Sequence, residues 1–248
     1  MQFFKNLFST LVALFALLIS WHLLALWAAT PVLPTPLAAI SIFFKLLPGE
    51  ISTHFIISFY RIVVSLALAF IIAVPLGLAM GQNKVLDSIL SPITFLLYPI
   101  PKIVFLPLLV IFLGLGNAPK IFLIFLIVFF QILVTARDAS KDVAKQHITS
   151  MVSLGASTWQ VYRHVIWPAS LPQILTALRI STGTAIAVLF LAETFASTEG
   201  LGSFILSAMS KQDYPEMFAG IIAMALLGLI SYFAVDIVEK KYCSWMHF

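Results

Sequence analysis

The sequence predicts an all-α integral membrane protein with six transmembrane helices, and three observations carry that prediction. Of 248 residues, 61% are hydrophobic and only 10% charged. A soluble domain needs a wet surface that 14 Lys+Arg and 10 Asp+Glu cannot cover. The apolar residues gather into runs of about 20, the length that carries a helix across a hydrocarbon core of about 30 Å. Between the runs stand prolines, glycines and the few charges, and the interval 137–168 is the wettest of them. The net charge of +4 is spread along the chain, which suits a topology signal and excludes a nucleic-acid partner. Cys243 is the single cysteine, so internal disulfides are excluded, and it lies outside any metal-ligand spacing.

The first span, 7–29, is the apolar run Leu7 to Ala29 behind Lys5, broken only by Ser9, Thr10, Ser20 and His22. It is long for a cleaved signal peptide, and no clean small-residue cleavage site follows. Pro31, Pro34 and Pro36 end it, and the segment to Glu50 reads as a loop with a short interfacial helix at Leu37 to Leu47. The second span is 54–80, with Pro75 and Gly77 as a kink, since neighbouring helices can satisfy the freed carbonyl. Gly81 to Asp87 is a polar turn. Ile89 to Tyr98 and Ile103 to Leu115 are each too short to cross, so they read as one third span, 88–115, broken by Pro99 and Pro101. The Pro-Ile-Pro corner is expected inside protein, because unpaired backbone cannot face lipid. Asn117, Ala118 and Pro119 make a turn before the fourth span, 119–136. The fifth span is 171–195, a polar loop with Gly-Leu-Gly at Gly200 to Gly202 follows, and the sixth span is 217–238. With no second domain and no repeat, residues 1–248 read as a single transmembrane domain.

Six spans put both termini on one side. With that side cytoplasmic, the inner segments hold Lys5, Lys84, Arg137, Lys141, Lys145, Arg163, Lys240 and Lys241, against Lys45, Lys120 and Lys211 outside. The positive-inside rule therefore places both termini, and the wet interval 137–168, in the cytoplasm.

Within that interval Asp142 to Leu154 reads as a short helix with Val143, His147, Met151 and Leu154 roughly on one side. Gly155 offers a C-terminal turn, and Thr158 to Ile166 reads as a second helix ending before Pro168. Met151, Val152 and Leu154 are poorly placed in water near such a corner, and they invite a partner. His147 and His164 lack the carboxylates or cysteines of a metal set, so no metal is assigned.

The spacing of Gly155, nine residues, Val165, one residue, Trp167 and Pro168 resembles the cytoplasmic motif of binding-protein-dependent ABC importer permeases. That motif runs Glu-Ala-Ala, three residues, Gly, nine residues, Ile, one residue, Leu-Pro. PIPKIVFLPLLVIFLGLGNAPKI (99–121) and LAETFASTEGLGSFI (191–205) resemble the branch that carries nitrate, taurine and aliphatic sulfonates. The likeness runs from about His54 to the end of the chain. Thr149, Ser150 and Met151 stand where the motif has Glu-Ala-Ala, and Trp167 where it has Leu. The missing Glu puts in doubt a salt bridge to an ATPase, and docking should lean on apolar contact.

The resemblance implies a type I ABC importer permease fold, with cytoplasmic coupling helices between spans four and five, in the bacterial inner (plasma) membrane. It implies a homodimer with a second copy, two cytoplasmic ABC ATPase subunits and an external solute-binding protein. The coupling contacts it implies are Thr149, Ser150, Met151, Val152, Leu154, Gly155, Ala156 and Ser157. No GxxxxGK[ST] loop is present, so ATP and Mg belong to the partner subunit, and this chain is a permease without cofactor or ATPase activity of its own. The implied solute is a small anion such as nitrate, bicarbonate, taurine or a sulfonate. An uncharged heterocycle such as a vitamin precursor is the alternative. A stand-alone secondary transporter would show internal repeats or paired broken helices, and only one broken segment is found.

Charges inside spans are costly and face protein or a water-filled path. Arg61, Arg179 and Glu193 are such charges, and Glu193 reads either as a gate or as half of a structural ion pair. Ala177, Ser181, Thr184, Ala185 and Val188 form a small-residue stripe that suits tight packing or the lining of a translocation path. His54, Ser58, Arg61 and Ser65 form a weaker polar stripe on the second span.

Overall fold

A computed structural model describes the backbone of residues 2–195 and 197–247 and the side chains of 11–195 and 197–245. Lys5 and, of the first span, Leu7 to Thr10 lie outside the described side chains. The elements are α1 (Gln2–Ala28), α2 (Pro36–Leu46), α3 (Ser52–Gln82), α4 (Lys84–Leu97), α5 (Leu106–Leu113), α6 (Asn117–Lys141), α7 (Lys145–Ser153), α8 (Thr158–Val161), α9 (Trp167–Phe195), α10 (Leu201–Ser210) and α11 (Tyr214–Tyr242). Five continuous helical stretches are long and apolar enough to cross a membrane. The pair of 84–97 and 102–113, bent by 80°, brings the number to six when it is taken as one broken span. The described residues are all-α, in line with the expected six spans.

The core lies between α3, α6 and α9. On α3, Ala69, Ala73, Gly77 and Gly81 recur at four-residue spacing, and the first three are buried. Their small side chains let α6 approach closely: a Cβ on Gly77 would stand 2.7 Å from both Ala136 Cβ and the Leu133 carbonyl. Ser140 on α6 donates to the Leu78 carbonyl at 3.0 Å, closing that end of the seam. Just beyond it, Asp87 in the first turn of α4 accepts from Arg137 and Lys141 of α6, tying the broken span to the same seam.

Four boundaries differ from the sequence reading, each for a physical reason. A five-residue π-turn, Leu47–Ile51, joins α2 to α3, so the helix leading into the second span starts well before His54. Pro168 ends nothing. Proline removes an N–H and crowds the carbonyl four residues back, but the π-turn Tyr162–Ile166 widens the helix there, and the Trp167 N–H reaches Tyr162 instead. The helix therefore runs from Thr158 to Phe195. Because α6 continues to Lys141, the interval 137–168 shrinks to a connection around α7 between 142 and 157. The Gly-Leu-Gly segment is not a polar loop: it opens α10, whose Leu201, Phe204, Ile205 and Ala208 are buried at helical spacing. The Pro-Ile-Pro corner is not buried within the chain, since Ile100 is exposed. Lys102 seals the bend instead, donating from Nζ to the carbonyls of Leu97 and Tyr98 at 2.9 and 2.7 Å, 4.7 Å from the Phe130 ring centroid.

α1 hardly joins this bundle. Trp21 donates to the Pro34 carbonyl and stacks on Phe218, Ala25 is buried, and most other described residues of the helix are exposed.

Candidate functional site

Two sites stand at opposite ends of the bundle, a protruding corner and a buried polar network. The corner begins where α7 runs out at Ser153, with the Leu154 N–H bonded back to Ser150 and Met151 carbonyls. Gly155 then takes φ +81°, the left-handed region that an L side chain opposes. A Cβ built there meets nothing within 4 Å. The glycine is thus required by the turn, and the space around it is open. Ser157 caps the next helix reciprocally with Gln160, so the corner is fixed on both sides.

Leu154 is 84% exposed and Val152 56% exposed. Thr149, Ser150 and Ser157 are also exposed, while Met151 and Ala156 are half-buried and pack on the core. Of the apolar side chains expected to await a partner, Val152 and Leu154 do project from the corner, and Met151 is already engaged.

At the other end, the weak polar stripe of α3 meets Glu193. The carboxylate is fully buried and accepts from Arg61 Nη1 at 2.7 Å, from Ser58 Oγ and from the Gly202 N–H at 2.8 Å. Arg61 also donates to Asn117 Oδ1 and to the Glu199 carbonyl, Ser58 accepts from the Leu201 N–H, and His54 Nδ1 accepts from the Gly200 N–H. A Cβ on Gly202 would lie 2.7 Å from Glu193 Cβ, and Gly200 with φ +103° lies closer still to the carboxylate. The Gly-Leu-Gly backbone wraps this carboxylate, and no side chain would fit at Gly200 or Gly202. Among the two readings of Glu193, the geometry is that of an ion pair. The signal was present in the sequence: His54, Ser58, Arg61 and Ser65 are polar at three- and four-residue spacing on an otherwise apolar helix.

The small-residue stripe of α9 divides. Ser181, Ala185 and Val188 are buried inside this chain, whereas Ala177 and Thr184 are partly exposed. Packing accounts for the buried three. The open face of α9 runs instead through Ile180, Gly183, Ala187 and Leu191. Arg179 pairs with Asp236 at 3.0 Å and Glu239 at 3.3 Å on α11 rather than reaching outward. Among the described residues no group of three or more His, Cys, Asp or Glu could hold a metal.

Paired charges inside an apolar bundle, with one exposed corner beyond it, define a multi-pass membrane protein. Residues 73–242 match the family of binding-protein-dependent transport system inner membrane components, and the chain belongs to that family. It is 36% identical over 192 residues to the taurine transport system permease protein TauC of Escherichia coli, covering 77% of this chain and 70% of that one. Identity to the formylaminopyrimidine transport permease protein ThiX of Halalkalibacterium halodurans is 28%, over 92% of each chain. The fold superposes on a chain of the inward-facing MetNI methionine ABC transporter with a TM-score of 0.66 at 18% identity, covering 78% of this chain and 96% of that one. This chain is a transmembrane permease subunit of an ABC importer.

Proposed function

We propose that two copies of this permease pair in the inner membrane with their termini cytoplasmic, and that each seats its 149–157 corner in a cleft of an ATP-hydrolysing subunit. An external binding protein delivers the solute, a small organic sulfonate such as taurine. ATP and Mg are held by the ATPase pair, whose closure draws the two corners together and rocks the spans as rigid bodies, giving alternating access.

One observation carries the docking half of this reading. The corner holds Val152 and Leu154 exposed on a glycine turn where a Cβ would meet no described residue within 4 Å. Exposed apolar side chains on a rigid corner suit an apolar cleft, in line with the absence of the motif's Glu at Thr149. The substrate half rests on the relative named for taurine. A second reading, an uncharged heterocycle, is favoured by the relative named for formylaminopyrimidine, which aligns along nearly the whole chain. Arg61, Lys102 and Arg179 are also bonded to acceptors of this chain, so the path need offer no free cation to an anion.

Vesicles containing the permease, its ATPase and its binding protein separate the readings. ATP-dependent uptake of labelled taurine, competed by other sulfonates, is the expected result. Uptake of formylaminopyrimidine alone would select the second reading, and accumulation of either solute without ATP would overturn both.

A further inference from the structure

Just past the wet segment, the rod formed by α8, the π-turn and α9 lies beside α3. Trp159, Arg163 and Trp167 follow one another at four-residue spacing, so they share one face of the rod. Opposite them, α3 presents Pro75 and Leu78. Together with Tyr162 these residues line a groove of about 610 Å³. Phe70 closes on Trp167 edge to face, with ring centroids 6.5 Å apart.

The floor of this groove is apolar and belongs to a membrane-crossing helix. Its rim carries one cation and two indoles. Trp159 is 71% exposed, Trp167 37%, and no acceptor for either indole N–H is present among the described residues. The charge is unusual within this chain. Of the four arginines, Arg61, Arg137 and Arg179 are paired with carboxylates. Arg163 alone has no acceptor among the described residues, and no carboxylate lines the groove.

We propose that this groove binds one anionic phospholipid, with the phosphate on Arg163 and an acyl chain along Pro75 and Leu78. A guanidinium offers a planar fork to phosphate oxygens. Tryptophan and tyrosine settle at the headgroup level, and basic residues beside a span attract anionic lipid. The floor belongs to a helix long and apolar enough to cross a membrane, which suits an acyl chain better than a water-soluble protein. The π-turn Tyr162–Ile166 carries Tyr162 and Arg163 of the groove, and Trp167 follows it directly.

The test incubates the detergent-purified chain with phosphatidylglycerol or phosphatidylcholine of identical acyl chains and counts retained lipid by native mass spectrometry. One phosphatidylglycerol per chain should be held under conditions that strip phosphatidylcholine. Arg163→Gln should weaken retention about fivefold, and Arg163→Lys should restore part of it. Trp159→Phe should weaken it as well, by a smaller factor. Both side chains reach the surface, so each variant should elute as the parent chain does. Equal retention of the two lipids would overturn the proposal, as would unchanged retention in Arg163→Gln. Competition by soluble glycerol phosphate would assign the site to a free phosphate instead. Loss of ATPase association in Arg163→Gln with lipid retention intact would make the groove a protein contact.

Discussion

Glu193 gathers α3, the start of α10 and, through Arg61, the start of α6 around one buried carboxylate. Breaking such a pair from one side leaves a charge without a partner in a medium that cannot solvate it, at a cost of about 3–5 kcal/mol. Glu193→Ala and Arg61→Ala should therefore each lower the thermal midpoint sharply in mild detergent, and the double substitution should be less damaging than the two effects summed. Full stability of either single variant would remove the structural role and restore Glu193 as a gate. Gly155 presents the opposite case. Its φ of +81° costs an L residue about 1–2 kcal/mol, and nothing within 4 Å obstructs a side chain. Gly155→Asp should thus insert and fold, yet lose substrate-stimulated ATP hydrolysis in the assembled complex. Leu154→Asp should act likewise, since it is exposed. Met151→Asp should also reduce folded yield, because that thioether already packs on the core. Normal hydrolysis in both Gly155→Asp and Leu154→Asp would end the coupling role of the corner.

At the scale of elements, α9 has two faces that its sequence does not distinguish. Ser181 is 2% exposed, so Ser181→Trp should overfill the interior and disrupt folding rather than plug a path. The open face makes the complementary prediction: single cysteines at Ile180, Gly183 or Ala187 should be tolerated, and should crosslink between copies or react with a pore-directed reagent. Crosslinking at Ser181 but not at Gly183 would reverse the assignment. The faces were illegible because α9 is small or apolar all round between Ile180 and Ala192, leaving no amphipathic contrast there to orient it. The spans themselves were legible because hydrophobic length is a property of the chain alone. α10 escaped notice for the same reason in reverse, being too short to cross, although Leu201, Phe204, Ile205 and Ala208 recur at helical spacing. Pro168 misled because its rule assumes a regular α-helix, and a π-turn precedes it here. Arg61 and Glu193 were each visible as intramembrane charges. Their meeting across 132 positions was not, since periodicity reports neighbours along a helix and says nothing of partners on another.

For the whole molecule, the helix order and the charges make a topology that can fail. Six crossings bring the two ends to one side, and the corner at Gly155 lies on the side where Lys84, Arg137, Lys141, Lys145, Lys240 and Lys241 collect. Of the three basic residues assigned to the other side, Lys120 is fully buried and donates to the carbonyls of Leu115 and Gly116, so only Lys45 and Lys211 face outward there. The asymmetry of exposed charge is therefore stronger than the residue count, and under the positive-inside rule a cytoplasmic corner is the expected outcome. The chain supplies a quiet background for the test, because its single cysteine, Cys243, is 2% exposed. In intact cells a membrane-impermeant maleimide should label Thr198→Cys, in the exposed segment before Gly200, and should leave Ser153→Cys untouched until the membrane is opened. Labelling of Ser153→Cys from outside, with Thr198→Cys protected, would turn the protein over in the membrane. The corner could not then reach a cytoplasmic ATPase, and the coupling role would fall with the orientation.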